Sequence, residues 1–156
     1  MPLSADDRFA LLDLIARYNM AADDKDVEAT VALYTEDGQI SGDMATGPGH
    51  AGLRADLPGI FALEVTLKRH IAANVRFADA PEGADEAEAA YVLHVVEAGV
   101  APVTVATSVV TDRFRRVGGE WRVAHHHVAI DPSARWVMKA AETVQHGVEK
   151  VKDALT

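Results

Sequence analysis

Between residues 67 and 130 the chain changes character, and this change constrains its fold more than any other feature. Residues 67–78, 87–99, 103–117 and 120–130 are rich in Val, Ala, Thr and aromatic side chains. Turn signals separate them at PEG (81–83), AP (101–102) and GG (118–119). Such runs between such turns predict four consecutive antiparallel strands. The VGGE turn between Arg116 and Trp121 is the clearest hairpin signal. Outside this block the apolar period is that of a helix. Leu11, Leu14, Ile15, Tyr18 and Ala22 share one helical face. Ser4 is placed as its N-cap, with Asp6 and Asp7 in the first turn, where the helix dipole favours negative charge. Asp26 is placed to cap a second, short helix with a face of Val27, Thr30, Val31 and Tyr34, ended by Gly38. A brief strand at 39–42 follows. GPGH (47–50) then turns the chain into a third helix running to about Leu63, which Pro58 is expected to end or kink. From an N-cap at Ser133, the stripe Val137, Ala141, Val144, Val148, Val151 and Leu155 predicts a C-terminal helix over about 134–155. Segregated runs of helix and strand argue for an α+β fold. Its N-terminal helices pack on one face of a curved antiparallel sheet, and an extra helix ends the chain.

At 156 residues the chain is most simply one domain, with a core over about 4–131. Its hydrophobic fraction of 49% and charged fraction of 25% are those of an ordinary soluble globular protein. The net charge is −9, with no Lys/Arg-rich run, so neither nucleic acid nor an anionic membrane is an expected partner. With no Cys, thiolate nucleophiles, disulfides and Cys-ligated metals are excluded. MPLSADDRF lacks the pattern of a secretory leader, and no apolar stretch nears the ~20 residues of a membrane span. A cytoplasmic location is the expectation. The glycines at 47, 49 and 52 lack the Lys and spacing of a phosphate loop, and no Ser sits in a nucleophile elbow.

Titratable side chains that could do chemistry are few. Asp23 stands at the C-terminal end of the first helix, where the dipole disfavours a carboxylate, so a purely structural role is less natural there. The plain alternative is a solvated acid in a DDKD run. His70 alternates with Ala72 and Asn74 on one strand face, opposite Ile71, Ala73, Val75 and Phe77. An imidazole beside an acid can hold or release a proton near neutral pH. Asp23 either orients His70 or is itself the base. Tyr18 lies on the apolar helix face, as a core aromatic or as a phenol turned to a substrate oxygen. In the run His125-His126-His127, alternation puts His125 and His127 on one face and His126 on the other. Two imidazoles without a third ligand do not make a metal site, so His125 and His127 are expected to line a pocket or an interface. His94 shares a face with Val92 and Val96, and Trp136 is placed to close one end of a pocket.

Four segments carry a family resemblance. ARYNMAADDKDVEATVALYTEDGQI, GPGHAGLRADLPGI, RHIAANVRF and TDRFRRVGGEWRVAHHHV, in this order, resemble the SnoaL-like group of the nuclear transport factor 2-like superfamily over roughly residues 8–130. The resemblance implies a cone-shaped α+β barrel with a deep apolar pocket, and a homodimer formed through the sheet. Within the superfamily the pattern is similar to scytalone dehydratase and bile-acid 7α-dehydratase. These carry a Tyr and an Asp near the end of the first helix and a His on the first long strand, where this chain has Tyr18, Asp23 and His70. Those enzymes eliminate water without metal or cofactor. They also carry an acidic or imidazole group on the next strand, for which His94 is the candidate, and many relatives have an aromatic residue at the position of Val110.

The resemblance thus implies a cofactor-independent dehydratase or isomerase acting on a small apolar hydroxy- or keto-compound. Asp23, His70, Tyr18 and His94 would do the proton transfer, and Asn74, His125, His127 and Trp136 would contact the substrate. The alternative is a non-catalytic ligand-binding domain, or a partner subunit resembling the small subunit of ring-hydroxylating dioxygenases.

Overall fold

The computed structural model describes residues 3–64, 66–81, 83–99 and 101–132. The expected C-terminal helix, its N-cap Ser133 and Trp136 lie outside the described residues. Helix α1 spans Ala5–Asp23, α2 Val27–Val31 and α3 Gly49–Ala62; the strands are β1 (Tyr34–Gly42), β2 (Lys68–Phe77), β3 (Glu86–Glu97), β4 (Val103–Val117) and β5 (Glu120–Ile130). They form one five-stranded sheet in the order β1-β5-β4-β3-β2. The architecture is α+β, with the helices packed on one face of this sheet through α1 against β2 and α3 against β1.

Local chemistry accounts for the element ends. Ser4 Oγ accepts the Asp7 amide at 3.0 Å and Asp26 Oδ1 accepts the Ala29 amide at 2.9 Å, so both expected caps form. Gly118 and Gly119 take φ of +60° and +88°, the left-handed pair that a two-residue hairpin requires. Three expectations are corrected. The second helix stops at Val31, and Tyr34 already begins β1, opposite Val123. Pairing with β5 thus overrides the helical period at that end. That pairing is parallel, so the sheet is antiparallel only from β2 to β5. Pro58 does not end α3, which runs through it to Ala62.

Two bulges decide which side chains face the helices. In β2 the register shifts between Ala73 and Arg76, and Asn74 takes φ of +55°. Asn tolerates this left-handed geometry better than most residues. His70 and Ala72 face inward before the bulge, and Val75 and Phe77 after it. In β5 the shift beside Phe114 makes Ala124 the extra residue. Trp121 and Val123 are buried before it, and His126, Val128 and Ile130 after it. The core fills the space between this inner face and the helices, with Leu11, Leu14, Leu53, Leu57, Val110 and Phe114 almost wholly buried.

Asp7 ties α1 to the β4–β5 hairpin. Its Oδ1 accepts from the Arg116 guanidinium at 2.6 Å and from Trp121 Nε1 at 3.0 Å, while Arg116 stacks 4.3 Å from the Trp121 ring centroid. The hydrogen bonds from Arg116 and Trp121 lower the Asp7 pKa from 3.8 to about 2. Because the folded value is the lower one, this stabilisation is complete above about pH 4 and is lost as pH falls toward 2. After allowing for solvent screening of a partly exposed pair, it is worth about 1 kcal/mol. Asp7→Asn is expected to remove it and to flatten that part of the pH–stability curve in urea titrations.

Candidate active site

The end of α1 reaches the start of β2, and there Asp23 meets His70. Asp23 Oδ1 lies 2.8 Å from His70 Nδ1 and accepts the His70 backbone amide at 2.9 Å. The helix end explains this choice of partner. A carboxylate there is not stabilised by the helix dipole, but it gains two donors from one residue of the strand. Arg69 adds a looser contact, 3.8 Å from Asp23 Oδ2. The Asp23 side chain is 8% exposed and the His70 side chain 16%. On its other nitrogen, His70 Nε2 lies 3.3 Å from Glu64 Oε1. Burial alone would lower the imidazole pKa. Hydrogen bonds to Glu64 and Asp23, with their negative charges, outweigh it and hold the pKa above the ordinary histidine value.

Deeper in the core is a second polar cluster. Asp112 on β4 lies with Oδ1 2.6 Å from His126 Nδ1 and accepts the Tyr91 hydroxyl on Oδ2 at 2.9 Å. Asp112, His126 and Tyr91 are all buried. The Tyr18 ring packs 4.6 Å from the His126 ring and 5.9 Å, edge-on, from Tyr34. Burial raises the pKa of Tyr18, Tyr34 and Tyr91, so all three phenols keep their protons at neutral pH. The Tyr34 hydroxyl is buried beside Tyr18.

The expected site residues therefore separate. Asp23 and His70 come together in direct contact. Tyr18 belongs to the deep cluster with His126. His94 does not join them. It pairs with Ile71 and Thr107 on the outer face of the sheet, because its neighbour Leu93 is the residue buried inward. Asn74 is also outside, because its bulge breaks the alternation with His70 and Ala72. His125 and His127 are on the outer face as well, both 2.8 Å from Ser41 Oγ, while His126 between them is the inward one. The triplet does alternate as expected, but the bulge at Ala124 reverses which member faces the core. Among the described residues no group of three or more His, Asp or Glu is placed to hold a metal. A cavity of about 660 Å³ is lined by Asp37, Gln39, Glu88, Arg113 and His125, and one of about 270 Å³ by Asn74, Arg76, Val92 and Val109. Neither includes Tyr18, Asp23 or His70.

Sequence reasoning missed Glu64, Tyr34, Tyr91, Asp112 and His126. The three-residue step between His94 and Tyr91 put attention on the wrong face of β3. A carboxylate beside a buried Phe in TDRF was the available signal for Asp112.

Comparison with known proteins agrees with the fold. No curated protein matches the chain. A structure from Nostoc punctiforme, of unknown function and cystatin-like fold, is 28% identical with a TM-score of 0.74, over 85% of this chain and 97% of that one. An NTF2-like protein of Novosphingobium aromaticivorans is 29% identical with a TM-score of 0.69, over 83% and 87%. At 16% identity, which speaks to fold alone, a second Novosphingobium aromaticivorans protein bears the provisional name scytalone dehydratase. Its TM-score is 0.66, over 80% of this chain and 84% of that one. The family model for the SnoaL-like domain matches residues 4–127, and the chain belongs to that family.

Proposed function

We propose that this protein is a cofactor-independent dehydratase or isomerase that moves a proton on a small, largely apolar hydroxy- or keto-compound. The observation that carries the reading is the Asp23–His70 contact, in which one carboxylate oxygen accepts both the ring and the backbone N–H of the same residue. That oxygen is committed to orienting the imidazole, which leaves Nε2 as the atom that exchanges a proton. In a dehydration, Nε2 takes the proton from the carbon next to a carbonyl. The C=C bond forms as the C–O bond breaks. The imidazolium then returns the proton to the departing hydroxide, giving water. In an isomerisation the same proton returns to a different carbon. The provisional scytalone dehydratase among the structural neighbours is consistent with this class.

The test needs no known substrate. A panel of cyclic ketones and β-hydroxy ketones is incubated with the protein in D₂O, and NMR follows deuterium entering next to the carbonyl or loss of water. The wild type is expected to catalyse at least one exchange that His70→Ala lowers by about 10²–10⁴-fold. Exchange that persists in His70→Ala at the wild-type rate would falsify the proposal.

A second reading has one observation in its favour. Ile71 and Val109 on the outer face are 51% and 48% exposed, which suits association through the sheet. That association is either a homodimer or the docking of a non-catalytic subunit on a larger partner. A stable dimer of this chain alone in gel filtration supports the first.

A further inference from the structure

His70 carries a carboxylate on each nitrogen, but the two are held differently. Asp23 is 2.8 Å away and also binds the strand backbone, whereas Glu64 is 3.3 Å away and, among the described residues, its carboxylate contacts the ring alone. The Glu64 side chain is 22% exposed against 8% for Asp23. Glu64 lies just beyond α3, and its backbone carbonyl accepts from Lys25 Nζ. Its main chain is thereby tied down while its carboxylate stays near the surface.

An ionised carboxylate only accepts hydrogen bonds, so the Glu64 contact requires a proton on Nε2. With Nδ1–H committed to Asp23, the docked state is an imidazolium whose Nε2 lies 3.3 Å from a carboxylate oxygen. If Nε2 loses its proton, two lone pairs face each other and the contact is lost. The groups around the ring are Asp23 from α1, Glu64 after α3 and Arg69 from β2, with Lys25 on the Glu64 carbonyl. Removing Glu64 therefore leaves the site one charge more positive. Leu63, next to Glu64 in the chain, and Leu67, three residues after it, are apolar and 56% and 53% exposed.

We infer that the Glu64 carboxylate occupies the place of a substrate oxygen on His70 Nε2. The site then takes small apolar molecules bearing an accepting oxygen, such as a carboxylate or enolate, in exchange for Glu64. The inference rests on Nε2 being the working atom of the proposed acid–base site, but its test does not depend on turnover.

Benzoate is titrated into the wild type, Glu64→Ala and Glu64→Gln, while NMR follows the His70 Nε2 resonance. The pH is set near 5.5, about a unit below the ordinary histidine pKa, and the ring ¹⁵N shifts of His70 are read first in each protein so that affinities are compared with the imidazole protonated. Glu64→Ala is expected to bind benzoate at least about ten-fold more tightly than the wild type, the worth of one charge-assisted hydrogen bond, with Nε2 shifting to saturation. Glu64→Gln, a neutral and nearly isosteric competitor, is expected between the two, and it carries the test should the alanine variant not fold. Equal affinity in wild type and variants, or tighter binding without movement of Nε2, overturns the inference. If benzoate binding is gained but His70→Ala leaves proton exchange intact, the acid–base reading falls and this one stands. The converse result removes this inference alone.

Discussion

Asp23→Asn is expected to lower turnover by about 10²–10⁴-fold while leaving the fold in place. The two effects separate because the amide keeps the oxygen and loses the charge. An amide oxygen can still accept the His70 backbone N–H and the ring Nδ1–H, now held at 2.9 and 2.8 Å from Asp23 Oδ1. What disappears is the negative charge that, with Glu64, holds the imidazole pKa above its ordinary value against burial. The His70 pKa is therefore expected to fall in the variant, which ¹⁵N NMR measures without any substrate, and the pH–rate profile is expected to shift with it. The sign for stability also follows. A histidine whose folded pKa is raised contributes stability below its unfolded pKa and loses it as pH rises through the folded value. Asp23→Asn thus costs most stability at mildly acidic pH, and the difference from wild type shrinks as pH rises past that point. Asp23→Ala removes the acceptor as well and leaves a half-buried backbone N–H unsatisfied, at about 1–3 kcal/mol on top. A variant series in which turnover tracks loss of fold rather than loss of charge would reduce Asp23 to a structural tie.

Asp23 stood out locally by its helix end, but its pairing with His70 was legible only through the family resemblance, since alone the two read equally as a loop acid and a strand histidine. A carboxylate at a helix C-terminus is poorly placed unless something else holds it, and a histidine three residues into a long strand can supply that partner. Ser4, Asp26 and the Gly118-Gly119 turn were legible from local signals, since each acts within four residues of itself. The faces of the sheet were not. Strand alternation has a period of two, so one inserted residue reverses every side chain beyond it. Asn74 does this in β2 and Ala124 in β5. Trp121 is buried in the core, and counting onward from it in steps of two arrives at His125 and His127. The structure instead buries His126. Nothing about an alanine in a strand marks it as a bulge. Glu64 was hidden for another reason. It stands just after α3, and its partner is six residues on in β2, where no local pattern links the two.

The largest loss of stability is expected at Asp112, which reads in the sequence as an unremarkable strand residue. Its two oxygens are the partners of His126 and Tyr91, in a core where Asp112 is 2% exposed. Asp112→Ala removes both acceptors and strands an imidazole N–H and a phenol O–H away from water. Breaking a buried pair from one side costs about 3–5 kcal/mol, against a total stability of about 5–15 kcal/mol for a typical domain. Urea unfolding is expected to show the midpoint falling steeply with little change in slope. Asp112→Asn keeps one acceptor but turns an N–H₂ toward a donor, so an intermediate loss is expected. The cluster matters beyond stability because the Tyr18 ring rests on His126 at 4.6 Å, so slack there loosens the side of α1 that ends in Asp23. Tyr91→Phe supplies the control, since it removes a donor and leaves one carboxylate oxygen unmatched. In the double variant Asp112→Ala/Tyr91→Phe the stranded phenol no longer exists, so the combined loss is expected to fall short of the sum by about 0.5–3 kcal/mol. Strict additivity would mean that Asp112 and Tyr91 do not share their stabilisation and that His126 alone depends on the carboxylate.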